Sequence, residues 1–493
     1  MLEQAKKDTA TGAITTHATQ AYTQTMDMRD AQRYFTAGFR DDINQPAAGP
    51  RWVGLENEYP LVFADGSIIS RDVIDFLWQE LVAQGWEPLK DEATQKIVAV
   101  KKQRPDVGGE RKHHYDIITS DLGYAILEVD LAPAPSIIIA EQHLRRLMQT
   151  ITTILAQKNA SILGYGVQPK AQPDVAYLGE KSRYEFMVDI CKQENVINPM
   201  GYGVELHTLD ASCQTQVEIS AAEAIPVVNA LNATAGLRLA LLANSPIWQG
   251  QNDDKCKSIR QEFLDWCWPA RKQQLGLPPR FQNIEHYLDY IFGFRPIAVT
   301  RDGEMYRINH QGTFRQFFLN AHSQTGFALD GTSQALQSTL SDITTQCGFA
   351  WFFSRLQPAY GTIEDRISCQ QPPHANLCAS ALTLGLVENY QALVGLAETI
   401  SLDQWRDIHK LASIHGLNFT YPGVDIDRYI AWLLAIATRG LQKRAFGEEK
   451  YLEPLYQRAE TRRCPADDVR AQFEQGAFEQ IVRSNDMRNW LKG

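Results

Sequence analysis

The chain has 493 residues, 44% hydrophobic, 22% charged and 10% aromatic, with a formal net charge of −10. That is an ordinary globular composition with room for a sizeable core. The acidic balance argues against a nucleic-acid or anionic-membrane partner, because binding phosphate backbones needs a basic face.

In chain order, residues 1–48 read as a peripheral arm rich in Thr, Ala and Gln, in which "DMRDAQRYFTAGF" has amphipathic spacing and "DDINQPAAGP" looks like a linker. It has no apolar core of a signal peptide. From 49 to 395 strand-like and helix-like segments alternate, as expected of one catalytic domain. "RWVGLENEYPLVF" and "YAILEVDLAP" read as strands and "SIIIAEQHLRRLMQTITTILAQ" as a long helix. "VELHTLDASCQTQVEIS" reads as paired strands, "AAEAIPVVNALNATAGLRLALLANSP" as one helix, "GTIEDRISCQ" as the last strand and "HANLCASALTLGLVENYQALV" as the helix behind it. Residues 396–493 are helical throughout and are expected to pack on the catalytic domain. The fold class is α+β, an antiparallel sheet with helices on one face and the other face open for chemistry.

Three strand-like segments place polar residues at i and i+2, the spacing that puts side chains on one face of a strand. They are Glu56/Glu58, Gln216/Glu218 and Glu364/Arg366; Glu128 sits in a fourth strand and Asp121 in the turn before it. A lone Glu-x-Glu in a strand is most simply a solvated face. If the strands are neighbours, however, one face carries five carboxylates, six with Asp121, and such crowding calls for a divalent cation. Oxygen ligands without a His/Cys cluster point to Mg²⁺ or Mn²⁺, and magnesium held by carboxylates commonly shares substrate phosphates. Arg366, and Arg260 in "KSIRQEF", are the matching guanidinium candidates. There is no G-x-x-x-x-G-K-[ST] loop and no G-x-G-x-x-G turn. The eight cysteines form no C-x-x-C pair, which suits free thiols in the cytoplasm. Cys213 and Cys369 read as sheet-packing thiols, and His113-His114 as part of a solvated loop.

The segments "VGLENEYP", "SDLGYAILEVDLAPAPS", "KSRYEFM", "SCQTQVEIS", "ANSPIWQG", "KSIRQEF" and "GTIEDRIS" occur in an order that resembles the glutamate–cysteine ligases of plant and proteobacterial type. More broadly they resemble carboxylate–amine ligases related to glutamine synthetase, and the likeness covers roughly residues 50–480. It implies a funnel-shaped antiparallel sheet with glutamate at one end and Mg-ATP at the other. By that resemblance Glu56, Glu58, Asp121, Glu128, Gln216 and Glu364 are metal ligands, and Arg260 and Arg366 face the phosphates. Arg183 and Tyr184 lie near the amino-acid substrate. The implied reaction joins the γ-carboxylate of L-glutamate to the amine of L-cysteine through an acyl phosphate, in a monomer or homodimer acting on small molecules. Three departures from the family pattern, Glu218, Cys369 and "QPP" after it, open the alternative of another amine or acid. A catalytically silent binding protein is the alternative of a different class.

Overall fold

A computed structural model describes residues 26–41, 49–107, 113–194, 196–197, 200–308, 310–476 and 478–492. Among them a nine-stranded sheet forms the centre. Its strands are β1 (Val53–Phe63), β2 (Glu87–Lys90), β3 (Ile97–Gln103), β4 (Tyr115–Ser120), β5 (Ile126–Asp130), β6 (Ala160–Ile162), β7 (Cys213–Glu218), β8 (Ser354–Gln357) and β9 (Thr362–Asp365). They lie in the order β8-β9-β7-β1-β5-β4-β3-β2, with β6 also on β1, and every pair is antiparallel.

β1 is central because its odd positions Val53, Leu55, Tyr59 and Leu61 are buried in the main core while its even positions carry the carboxylates. The core face is covered by helices, among them Ile137–Ala156, Ala221–Ala233 and Cys378–Glu388. The four strands read from sequence are therefore neighbours, β9-β7-β1-β5, and the fold is the expected mixture of helices and antiparallel sheet with a helical C-terminal region.

Three readings change in detail. Val204–Thr208 is a 3₁₀ turn, so "VELHTLDASCQTQVEIS" contributes a single strand. The Glu205 carboxylate accepts the Gly203 N–H at 2.8 Å and Thr208 Oγ1 donates to the Glu205 carbonyl at 2.7 Å, which closes the turn. The helix expected over 221–246 bends by 52° between Ala221–Ala233 and Ala235–Leu242. The helix behind β9 turns by 91° between Pro373–Glu388 and Tyr390–Ala397. Within the segment read as a peripheral arm, the helix Met28–Thr36 buries Ala31 and Phe35, and Asp27 and Asp30 close its capping box. Residues 1–25 and 42–48 of that arm lie outside the described residues. A four-stranded sheet spanning 298–336 was not read from the sequence at all.

The C-terminal helix Ile426–Arg444 crosses Cys378–Glu388 with backbone touching backbone. A Cβ on Gly440 would lie 1.9 Å from the Gly385 carbonyl oxygen, so no larger residue fits this crossing. Arg444 then ties the region to the sheet, donating to Glu388 (2.6 Å), Glu448 (2.6 Å) and the Arg51 carbonyl (3.0 Å). No single helix among the described residues is long and apolar enough to cross a membrane.

On the core side of β9, Asp365 is buried and ion-paired to Arg238, whose exposure is 0%. Ser354 and Thr383 hydroxyls donate to the same carboxylate at 3.0 and 2.6 Å. The helix bend delivers the guanidinium to this point. Replacing Arg238 by Leu strands a buried carboxylate and is expected to cost about 3–5 kcal/mol. Adding Asp365→Asn should recover a large part of that loss. Denaturant midpoints of the single and double variants check both expectations, and an R238L variant as stable as the parent contradicts them.

Candidate active site

The register of the sheet decides which side chains meet. Glu56 lies opposite Asp130 on β5 and Gln214 on β7; Glu58 lies opposite Glu128; Gly54 lies opposite Gln216, which in turn faces Glu364. All of these point away from the helical core. Above them is a cavity of about 360 Å³, whose wall includes Glu56, Glu58, Asp121, Glu128, Arg183, Gln214, Arg260 and Arg366.

Glu56, Glu128 and Asp130 each offer one oxygen, and the three oxygens lie within 4.8 Å of one another. Glu56 Oε2 and Asp130 Oδ1 are buried without a hydrogen-bond partner. Burial, then the neighbouring carboxylates, lift the Glu56 and Asp130 carboxyls well above the ordinary range. Burial, followed by Glu128 and Asp210, raises Asp121 to about 7. Three crowded carboxylate oxygens, two of them on groups with an oxygen that has no hydrogen-bond partner, fit a hard divalent cation with oxygen ligands.

The remaining predicted ligands have other partners. Glu58, also lifted by burial and by Asp121 and Asp210, accepts the Ser212 N–H and the Gln214 amide, both at 2.7 Å. Gln216 Oε1 accepts from Thr362 Oγ1 at 2.6 Å, and Gln214, two residues earlier, stands on the cavity wall in its place. Glu364 is fully buried beneath cations. Burial alone would raise its carboxyl, but Arg355 and Arg366 hold it at about 2. Arg355 donates to it at 2.8 and 3.1 Å, and Gln357 and Arg366 also bind it. The geometry thus groups Glu56 and Glu128 with Asp130, sets Glu58 and Asp121 in the same wall, and leaves Gln216 and Glu364 outside the oxygen cluster.

Both predicted arginines line the cavity, and each is hydrogen-bonded. Arg366 donates to Gln214 Oε1 at 2.7 Å, so Gln214 bridges Arg366 to Glu58. Arg260 donates to the carbonyls of Arg366 and Ile367 at 3.3 and 3.5 Å and lies 3.7 Å from Asp210. Arg183 lines the cavity and stacks over the Tyr184 ring at 5.0 Å. Tyr184 itself is buried and braces the site from behind, its hydroxyl 3.2 Å from the Ser120 carbonyl.

Sequence reasoning missed Asp130, Gln214, Arg355 and the pair His207–Asp210, whose atoms lie 3.5 Å apart on the wall. Burial opposes charge on His207, but Asp210 and Cys267 beside it push it up to about 10. The Asp130 signal was present, since "LEVD" repeats the i, i+2 spacing of Glu56/Glu58.

The sequence departures sit off the cavity. Glu218 accepts the Trp52 N–H at 2.9 Å and lies 3.6 Å from Arg40. Cys369 is buried between the Ser245 and Ser258 hydroxyls at 3.6 and 3.4 Å, and Cys213 is a buried thiol pushed up to about 12 by desolvation. In "QPP", Gln371 donates to the Leu242 and Cys369 carbonyls, both at 2.9 Å, and its neighbour Gln370 donates to the Glu58 carbonyl at 3.0 Å. His113, expected in a solvated loop, packs edge-on against Tyr360 with ring centres 4.2 Å apart.

A family model described as glutamate-cysteine ligase family 2 matches residues 79–484. The chain belongs to that family. A Gloeobacter violaceus protein named "Putative glutamate--cysteine ligase 2" is 26% identical over 199 residues, 40% of this chain and 47% of that relative, so the match spans about half the relative's length. Among solved structures, glutamate–cysteine ligase from Francisella tularensis in complex with AMP superposes with a TM-score of 0.55 at 13% identity, over 90% of this chain and 88% of that one. That likeness shows a shared fold. The family match begins after β1, so Glu56 and Glu58 rest on the geometry alone.

Replacing Glu56 by Gln removes one of the crowded charges. Chelated E56Q is expected to be more stable than the chelated parent, by about 1–2 kcal/mol, and to lose most of the stabilisation that Mg²⁺ gives the parent. Thermal melts with and without Mg²⁺ measure this, and an unchanged magnesium-dependent shift in E56Q would remove Glu56 from the ion site.

Proposed function

We propose that this protein is an ATP-dependent carboxylate–amine ligase that forms a γ-glutamyl amide. The observation that carries the reading is one cavity lined by Glu56, Glu58, Asp121 and Glu128 together with Arg260 and Arg366, next to a carboxylate cluster suited to Mg²⁺ or Mn²⁺, in a chain of this family. The acid's γ-carboxylate oxygen attacks the γ-phosphorus of ATP, the P–O bond to ADP breaks, and an acyl phosphate forms. The amine nitrogen then attacks the acyl carbon; the C–N bond forms, phosphate leaves and the nitrogen gives up a proton.

Such a reaction asks little covalent work of the protein and much positioning and charge neutralisation. Held by Gln214 and Glu364, Arg366 keeps its charge fixed where phosphate oxygens arrive. Arg260 is anchored by two backbone carbonyls and adds a second fixed charge. Arg183, on the same wall, suits the α-carboxylate of glutamate. Glu56, Glu128 and Asp130 would hold a divalent ion, which would supply charge neutralisation for the phosphate oxygens.

Family membership by itself would suggest L-cysteine as the acceptor, which would give γ-glutamylcysteine and a place at the start of glutathione-type thiol synthesis. We read the enzyme as cytoplasmic, a monomer or homodimer with small-molecule substrates; its eight free cysteines agree with a reducing compartment.

ADP release from Mg-ATP and L-glutamate, measured against a panel of amines that includes cysteine, is expected to depend on the amine. Release that ignores the amine, or none with any pair, refutes the ligase reading. Arg366→Ala is expected to lower kcat/KM by about 10²–10³. Near-parental activity in that variant would show that its charge does not face the transferred phosphoryl group.

A further inference from the structure

Carboxylates, arginines and the His207–Asp210 pair make up part of the cavity lining, and much of the rest is apolar or aromatic. Two helices rise from the ionic part, its floor. Ser182–Gln193 presents Arg183, Met187 and Cys191 at i, i+4 and i+8, and all three line the cavity. Ile259–Trp266 presents Arg260 and Leu264, with Cys267 following on the same wall. On the face that lines the cavity, each helix therefore has a cation near its N-terminus and apolar or thiol side chains after it. At 1.5 Å per residue the first stripe runs for roughly 12 Å.

The far side is aromatic. Trp268 and Trp351 stack with ring centres 5.6 Å apart at 22°, and Phe349 meets Trp351 edge-on at 5.9 Å. The Trp268 indole N–H donates to Glu194 at 2.8 Å and Arg271 covers the same ring at 5.1 Å, so the wall is fixed in place. A cysteine side chain, one methylene and a thiol, leaves most of this apolar channel unfilled.

Resting on the ligase reading, we propose that the acceptor is an amine with a bulky apolar body, aromatic or branched-aliphatic, lodged between Met187, Leu264 and Trp351 with its nitrogen at the ionic floor. Burial of apolar surface there favours amines with larger apolar bodies. An adenine ring is the competing occupant. Its edge carries hydrogen-bond donors and acceptors, which Met187, Leu264, Phe349 and the committed Trp268 N–H leave unmatched, while His207, beside Cys267, is already paired with Asp210. Polar side chains that suit such an edge, Thr344, Thr345 and Tyr360, lie on other elements of the cavity wall.

The test is ADP release at saturating Mg-ATP and L-glutamate with L-phenylalanine, phenethylamine, L-leucine, L-cysteine and glycine. The best apolar amine is expected to exceed cysteine in kcat/KM by about tenfold or more. Met187→Trp, which fills the channel, should lower kcat/KM for the apolar amines by at least about tenfold and change glycine by less than about threefold. Trp351→Ala should raise the KM for apolar amines and leave the KM for ATP within about twofold. Cysteine leading the panel, with M187W impairing every amine alike, overturns the proposal. A higher KM for ATP in W351A with the amine ranking unchanged overturns it in favour of adenine. If no amine supports ADP release, the ligase reading fails, and calorimetry of phenethylamine with the Mg²⁺-loaded protein decides the channel separately. Binding that M187W abolishes supports it, and no binding overturns it.

Discussion

Carboxylates packed side by side under low dielectric are the constraint around which this molecule is arranged. Glu56, Glu58, Glu128 and Asp130 share one sheet face, and Asp121 and Asp210 approach from its margin. Carboxylates so placed stay ionised only if charge or hydrogen bonds answer them. The chain answers each in a different way. Glu364 receives two arginines, Glu58 receives two N–H donors, and Asp210 receives His207 and Arg260. Glu56 and Asp130 receive neither and keep bare oxygens. The asymmetry is informative, because unanswered oxygens in an otherwise answered cluster mark where an outside cation is needed.

β9 shows how closely stability and chemistry are interleaved. Three consecutive residues, Glu364, Asp365 and Arg366, alternate between faces, and the middle one is neutralised by Arg238 from the core helices. Two ion-pair systems therefore back onto one strand from opposite sides. The buried Arg51–Glu223 pair and the Arg444 hub lie at the start of the central strand β1, where the helix Ala221–Ala233 and the C-terminal region meet it. Buried pairs of this kind add little net stability, but each strongly penalises loss of a partner.

The local segments were legible in the sequence; their relations were not. Alternation revealed β1, β5, β7 and β9, since one face is apolar and the other polar. β3 and β4 were missed because Lys101, Asp116 and Thr119 are buried polar residues that blur the alternation. Which polar residues gather is a property of register, and register is set by pairing across the chain. That is why Gln214 and Asp130, only two residues from Gln216 and Glu128, escaped notice. The helix bends were hidden for a similar reason: Thr234 and Asn389 are unremarkable in composition, and the turns there answer tertiary demands such as the Arg238–Asp365 pair. The channel above the floor was invisible, because its stripes come from two helices and a tryptophan pair that meet only in space.

The central position of β1 has a consequence for how the chain comes to be folded. This strand is made early, yet its neighbour β7 and the next strand β9 come from far later in the sequence. During synthesis the acidic edge of β1 waits, paired at most with β5 and β6, with its polar face open to water. Such an arrangement belongs to slow, long-range assembly, in which the sheet closes only after most of the polypeptide exists. The acidic edge then does a second job: its charges discourage the unpaired strand from adding to another nascent chain while it waits.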